Sequence, residues 1–184
     1  VVAIVASAGG VHALQVVLGG LPHDLDAAVL VVLHLARQHR SLLPQILGRA
    51  TSLEVRQAEE GDALSPGAVL VAPPDAHVLV GDAGDLHLDD SELVHHVRPS
   101  ADVLLLSLAR SHGPRCAAVV LTGTGIDGAA GAAAVRHAGG RVLAQDEASS
   151  EYFGMPGAAI LAGGVDEVLP LDAIASAVIE WTRR

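Results

Sequence analysis

Short apolar runs alternate along this chain with longer stretches in which apolar residues recur every three or four positions. The strand candidates are 1–6, 28–33, 53–57, 117–121, 141–145 and 165–169, and helical periods fill 10–20, 39–49, 100–112, 128–138, 156–162 and 171–182. A strand that is apolar at successive positions is covered on both faces. Strands that alternate with helices are joined by crossovers, so the pattern predicts βαβ units around a parallel sheet. The stretch 61–98 breaks the alternation. Gly61-Asp62, Ser65-Pro66-Gly67, Pro73-Pro74-Asp75 and Gly81-Asp82 punctuate short alternating pieces such as His77-Val78-Leu79-Val80, which predicts an inserted antiparallel hairpin. No repeat, low-complexity tract or linker interrupts the chain. The expectation is one domain over 1–184: α/β, doubly wound, with a mostly parallel sheet flanked by helices on both faces.

Composition sharpens this picture. Hydrophobic residues make up 51% of the chain but aromatics only 2%, so the core must be built from Val, Leu, Ile and Ala. The formal net charge of −10 argues against a nucleic-acid partner, which needs a basic face to neutralise phosphates. Cys116 is the sole cysteine, which rules out an intrachain disulfide, and its place at the start of an apolar run suits a buried small hydrophobe. No apolar run approaches the roughly 20 residues of a membrane-spanning helix. The chain opens directly on Val1-Val2-Ala3-Ile4-Val5, with neither an initiator Met nor the marks of a signal peptide. The expectation is a cytoplasmic domain trimmed or excised from a longer protein.

In an open parallel sheet, ligands bind beyond the carboxyl ends of the strands. Ser7-Ala8-Gly9-Gly10 follows the first strand, His34 the second, and Thr122-Gly123-Thr124-Gly125-Ile126-Asp127-Gly128 the strand at 117–121. Hydroxyl, imidazole and carboxylate are the parts of an activated serine nucleophile. Each also has a plainer use. Ser7 is placed to cap a helix, or its glycine-rich loop to cradle a phosphate. His34 is placed to bond a nearby carbonyl, and Asp127 to make an Asx-turn and cap the helix at 128–138. The order Ser…His…Asp differs from that of α/β-hydrolases, and Val5-Ala6-Ser7-Ala8-Gly9 lacks the first glycine of a nucleophile elbow.

A metal site is not expected. His95 and His96 are adjacent and in an extended segment point to opposite faces, and there is no H-E-x-x-H and no cysteine cluster. Arg98 has two readings, guidance of an acidic partner or pairing with Asp102. Phe153 and Met155 have two as well, bordering a substrate groove or filling the core.

These segments together resemble the CheB-type protein-glutamate methylesterase domain over nearly the whole chain. Val5-Ala6-Ser7-Ala8-Gly9-Gly10 is similar to that family's nucleophile motif, Val31-Val32-Leu33-His34-Leu35 to its histidine-bearing strand, and Leu121-Thr122-Gly123-Thr124-Gly125-Ile126-Asp127-Gly128-Ala129-Ala130-Gly131 to its aspartate loop. Ala72-Pro73-Pro74, Arg98-Pro99-Ser100-Ala101-Asp102 and Phe153-Gly154-Met155-Pro156 match further segments typical of the family. The resemblance implies Ser7 as nucleophile, His34 as base and Asp127 as orienting carboxylate, with no cofactor and no metal. It implies hydrolysis of glutamate methyl esters on the cytoplasmic helices of chemotaxis receptors, releasing methanol, together with deamidation of receptor glutamines. It also implies control by a receiver domain, in cis or in trans. Ala6, Ala8, Thr124 and the segment Leu35–His39 depart from the family pattern, which leaves two alternatives: another signalling protein as substrate, or a receptor-binding module without turnover.

Overall fold

The computed structural model describes residues 1–34 and 41–183. Its strands are β1 (Val2–Ala6), β2 (Val29–Leu33), β3 (Glu54–Gln57), β4 (Ala68–Val71), β5 (His77–Val80), β6 (Leu86–Asp89), β7 (Ala117–Val120), β8 (Arg141–Gln145) and β9 (Glu167–Leu169). The helices are α1 (Gly10–Gly19), α2 (Leu43–Gly48), α3 (Ala101–His112), α4 (Ala129–His137), α5 (Gly154–Leu161) and α6 (Leu171–Thr182). Positions 39 and 40 of the expected helix 39–49, like the segment after His34, lie outside the described residues.

Seven strands form one parallel sheet in the order β3-β4-β2-β1-β7-β8-β9. The chain starts in the middle at β1, passes to β2, crosses to the edge at β3 and comes back to place β4 between β2 and β3. It then returns to the other edge of β1 with β7, β8 and β9. The strand order therefore reverses at β1, the kind of switch point where open sheets hold ligands.

The period of two along each strand divides the core into two layers. Val2, Ile4 and Ala6 of β1, with Val29, Val31 and Leu33 of β2, pack against Leu14, Val17 and Leu18 of α1, Leu47 of α2 and Ile174 of α6. Ala3 and Val5, with Leu30 and Val32, face Leu104, Leu105 and Leu108 of α3, Val135 of α4 and Met155 of α5. Both faces are covered by aliphatic side chains, as the composition required.

The stretch 61–98 is only partly the expected hairpin. β5 and β6 pair antiparallel, with Val80 opposite Leu86. β4 instead joins the main sheet, parallel to both β2 and β3. Ala68-Val69-Leu70-Val71 is a continuous apolar run, the mark of a strand covered on both faces, but it is only four residues long and lies between two turn signals. Among the described residues no helix is long and apolar enough to cross a membrane.

Candidate active site

β1, β2 and β7 lie side by side, and their carboxyl ends bring the three candidate residues to one place. Ala6 pairs with Leu33, so Ser7 and His34 stand one step further along adjacent strands, about 4.8 Å apart in backbone. By the same alternation they leave the sheet on the side of α3 and α4. The backbone there is held from both sides: His34 N–H donates to Ala6 O at 3.2 Å and Ser7 N–H to Thr122 O at 3.0 Å. Ala6 lies within β1 and is fully buried, so extended backbone accommodates it in place of the family's glycine.

Ser7 does not cap α1. The cap position is Gly9, in a left-handed conformation (φ 75°), and no side chain bonds the helix start. Two glycines set the tight approach around the serine. A Cβ on Gly10 would lie 2.5 Å from Leu33 Cδ1, so only glycine lets α1 begin this close to the strand ends. A Cβ on Gly123 would lie 2.8 Å from Ser7 Cβ, so the loop after β7 closes on the serine from the other side. That loop is tied down by Thr122 N–H to Gln145 Oε1 (2.8 Å) and Tyr152 N–H to Thr122 Oγ1 (2.9 Å).

His34 bonds a carboxylate, not a backbone carbonyl: its Nε2 lies 2.8 Å from Asp127 Oδ2. Their side chains are 9% and 3% exposed. Asp127 does not cap its own helix either, because the cap position of α4 is Gly128 and no side chain bonds that helix start. It accepts instead from the start of α3. Ser100 Oγ–H donates to Oδ1 at 2.7 Å, Ala101 N–H to Oδ2 at 2.6 Å and Asp102 N–H to Oδ1 at 3.1 Å. Burial pushes the Asp127 carboxyl up, but the bonds from His34, Ser100, Ala101 and Asp102 outweigh it and hold the group below the ordinary aspartate value.

A carboxylate stabilised this way ties stability to pH. In the unfolded chain the group titrates near about 3.9. With its folded value lower, its contribution is fully present above that unfolded value and disappears as pH falls through the folded one. The stability gap between the parent and an Asp127→Asn variant, measured by urea melts, is therefore expected to hold from neutral pH to about 5 and to narrow below about 4. A gap that stays constant to pH 2 would contradict the assignment of these bonds to the ionised carboxylate.

Sequence reasoning missed the residues that hold Asp127. Ser100 opens α3 as its cap, with its side chain accepting from Val103 N–H. Its own N–H donates to Nδ1 of His77 (3.1 Å), a fully buried imidazole whose Nε2–H reaches Glu92 O (3.1 Å). A serine just ahead of a helical period was a legible cap signal. The long-range partner His77, contributed by the hairpin, had none.

Other expectations are corrected. Arg98 bonds Asp75 Oδ1 and the carbonyls of Asp90 and Ser91, not Asp102, which bonds His95. His95 and His96 are not extended: both have left-handed backbone, φ 51° and 66°. Met155 is fully buried behind Gly123, which makes it core, and so is Cys116. His95, Asp102 and Asp127 bring possible metal-ligand atoms within 4.8 Å of one another, the one such grouping among the described residues. The Asp127 oxygens already accept four hydrogen bonds, which fills their lone pairs within the protein, and those of Asp102 accept from Gly131 N–H (2.7 Å) and His95 (3.1 Å).

The family model "CheB methylesterase" matches residues 2–178. A protein-glutamate methylesterase/protein-glutamine glutaminase of Anaeromyxobacter dehalogenans is 47% identical over 183 residues, spanning all of this chain and 53% of the relative. The protein-glutamate methylesterase FrzG of Myxococcus xanthus is 43% identical over 180 residues, 98% of this chain and 54% of the relative. The chain thus spans about half the length of the curated relatives it matches. The crystal structure of the Thermotoga maritima CheB methylesterase catalytic domain superposes with a TM-score of 0.93 at 36% identity, covering 97% of this chain and 96% of that one. The chain belongs to the CheB methylesterase family.

Proposed function

We propose that residues 1–184 are a methylesterase catalytic domain that hydrolyses glutamate methyl esters on the cytoplasmic helices of chemotaxis receptors, releases methanol, and deamidates receptor glutamines. The observation that carries this reading is the convergence of Ser7, His34 and Asp127 at the switch point, with His34 Nε2 on Asp127 at 2.8 Å. Asp127 is ionised and fixed, so Nε2 carries the ring's proton and Nδ1 is left with its lone pair; Ser7, one step beyond the paired end of the adjacent strand, is assigned as the hydroxyl whose proton it takes. Ser7 Oγ attacks the ester carbonyl as His34 takes its proton, and the tetrahedral intermediate expels methanol as His34 returns that proton to the leaving oxygen. Water, activated by the same imidazole, then cleaves the acyl-enzyme and frees Ser7. An amide substrate follows the same route with ammonia as the leaving group.

The oxyanion needs preorganised donors. The backbone N–H groups of Ala8 and Gly9, ahead of α1, have no hydrogen-bond partner among the described residues and are assigned this role. Ile126 and Tyr152, 58% and 44% exposed on the loops around the site, offer apolar contact to a substrate helix. A cytoplasmic location and control by a receiver domain, in cis or in trans, belong to the same reading. The test is methanol release from a panel of receptor fragments carrying labelled glutamate methyl esters. Release from one or more of them is expected. A folded protein that binds these fragments and releases nothing would leave the binding-module reading in its place.

A further inference from the structure

A second imidazole–carboxylate pair lies beside Asp127, whose Oδ1 accepts from the N–H of one member while Oδ2 bonds His34. His95 Nε2 is 3.1 Å from Asp102 Oδ2, with the histidine side chain 40% exposed and the aspartate 5%. Ligand atoms of His95, Asp102 and Asp127 all fall within 4.8 Å of one another. The two carboxylates share one helix start, since the N–H of Asp102 donates to Asp127 Oδ1. His95 reaches this point from a turn closed by the Val94–Val97 bridge, in which it and His96 both hold left-handed backbone. That conformation is uncommon for residues other than glycine and persists only where surrounding contacts impose it.

We propose that His95 and Asp102 are positioning residues for the reaction, and that the charge of this pair, set by the proton on His95, acts across Asp127 on the readiness of His34 to hold its own proton. With His95 protonated and Asp102 ionised, the pair is neutral. Loss of the His95 proton leaves a net negative charge beside Asp127, which favours imidazolium at His34. Burial pushes the Asp102 carboxyl above the ordinary aspartate range and the Asp127 charge adds to this, while Gly131 N–H and His95 oppose it. Asp102 therefore depends on His95 for its counter-charge.

Among the described residues, the groups facing the pair come from three places. Asp102 and its N–H come from α3, Asp127 from the β7–α4 loop with His34 bonded to it, and Gly131 N–H from α4. On the turn itself His96 is the neighbouring residue, and Arg98 is committed to Asp75 and to two carbonyls.

The inference rests on His34 as the base of the proposed esterase, and its test is independent of turnover. The ring signals of His34 are followed by NMR against pH in the parent, His95→Asn, Asp102→Asn and the double variant. Asparagine tolerates the left-handed backbone at position 95 and is too short to reach Asp102. At position 102 it keeps an acceptor for Gly131 N–H and removes the charge. Asp102→Asn is expected to move the His34 midpoint down and His95→Asn to move it up, each by roughly half a pH unit, with parent and double variant between them. A purely structural role moves neither in opposite senses. Midpoints that stay in place or move the same way in both single variants overturn the proposal. Should Asp102→Asn fail to fold, His95→Asn against the parent decides it: an upward move supports the pair and no move overturns it. Shifts of the expected sign in a protein that releases no methanol would retain the coupling and sink the esterase reading alone.

Discussion

Replacing Ser7 with alanine is expected to reduce methanol release by roughly 10⁴-fold or more while leaving the protein folded. The first half follows from chemistry, since without Oγ there is no acyl-enzyme, and the imidazole is left to activate water against an ester that nothing holds covalently. The second half follows from what Ser7 does not do. It is not the cap of α1, a position occupied by Gly9, and no side-chain hydrogen bond of the fold runs through it among the described residues. A half-buried hydroxyl without such a role is worth about 0.5 kcal/mol or less in stability, so the thermal midpoint should barely move. Affinity for a methylated receptor fragment should also persist, because the loops that flank the site are intact. Turnover, stability and binding together separate three outcomes. Lost turnover with retained binding supports the nucleophile. Retained turnover in the folded variant removes Ser7 from the mechanism. A collapsed stability would show that the serine holds the loop rather than performs chemistry.

How much of this was legible beforehand depended on the range of the interaction that decides each feature. β1, β2, β7 and β8 were plain because a strand covered on both faces must be apolar at successive positions. β4 obeys the same rule, but four residues between Pro66-Gly67 and Pro73-Pro74 present more turn signal than strand signal. The three site residues stood out as polar groups ending apolar runs. Their roles did not, since a serine before a helix and an aspartate in a glycine-rich loop before a helix serve as caps more often than as catalytic groups. The geometry removes the capping use for Ser7, and it turns Asp127 toward a helix other than its own. It accepts from the start of α3, beside that helix's own cap Ser100, 25 to 27 positions away along the chain. His77 and His95 were invisible for the same reason. Both come from the inserted segment, and nothing local shows that the insertion folds back onto the start of α3.

Asp127→Asn is expected to be both slow and less stable, and the structure specifies why a near-isosteric change does harm. Oδ1 accepts from Ser100 Oγ–H and Asp102 N–H, and Oδ2 from His34 Nε2–H and Ala101 N–H. An amide group has to occupy one of these two positions. At Oδ1 the serine hydroxyl can rotate to accept, but the buried Asp102 N–H faces another donor. At Oδ2 the ring of His34 can accept only by moving its proton to Nδ1, the nitrogen that should receive the serine proton, and Ala101 N–H is stranded. Either placement leaves one backbone donor unsatisfied, which costs about 1–3 kcal/mol, and removes a negative charge from the positive end of α3. Either placement also harms catalysis, through the wrong tautomer in one case and through loss of the charge that stabilises imidazolium in the other. The corresponding change in a serine protease triad lowers kcat by about 10⁴, and a loss of at least roughly 10²-fold is expected for a more reactive methyl ester. Ser100→Ala separates the two effects, since it removes one donor and keeps the carboxylate. It should cost about 1 kcal/mol of stability with a far smaller loss of turnover. Rates are to be corrected for the folded fraction measured by circular dichroism. If the two variants then turn over equally well, Asp127 serves only to hold α3, and the imidazole must be oriented by another group.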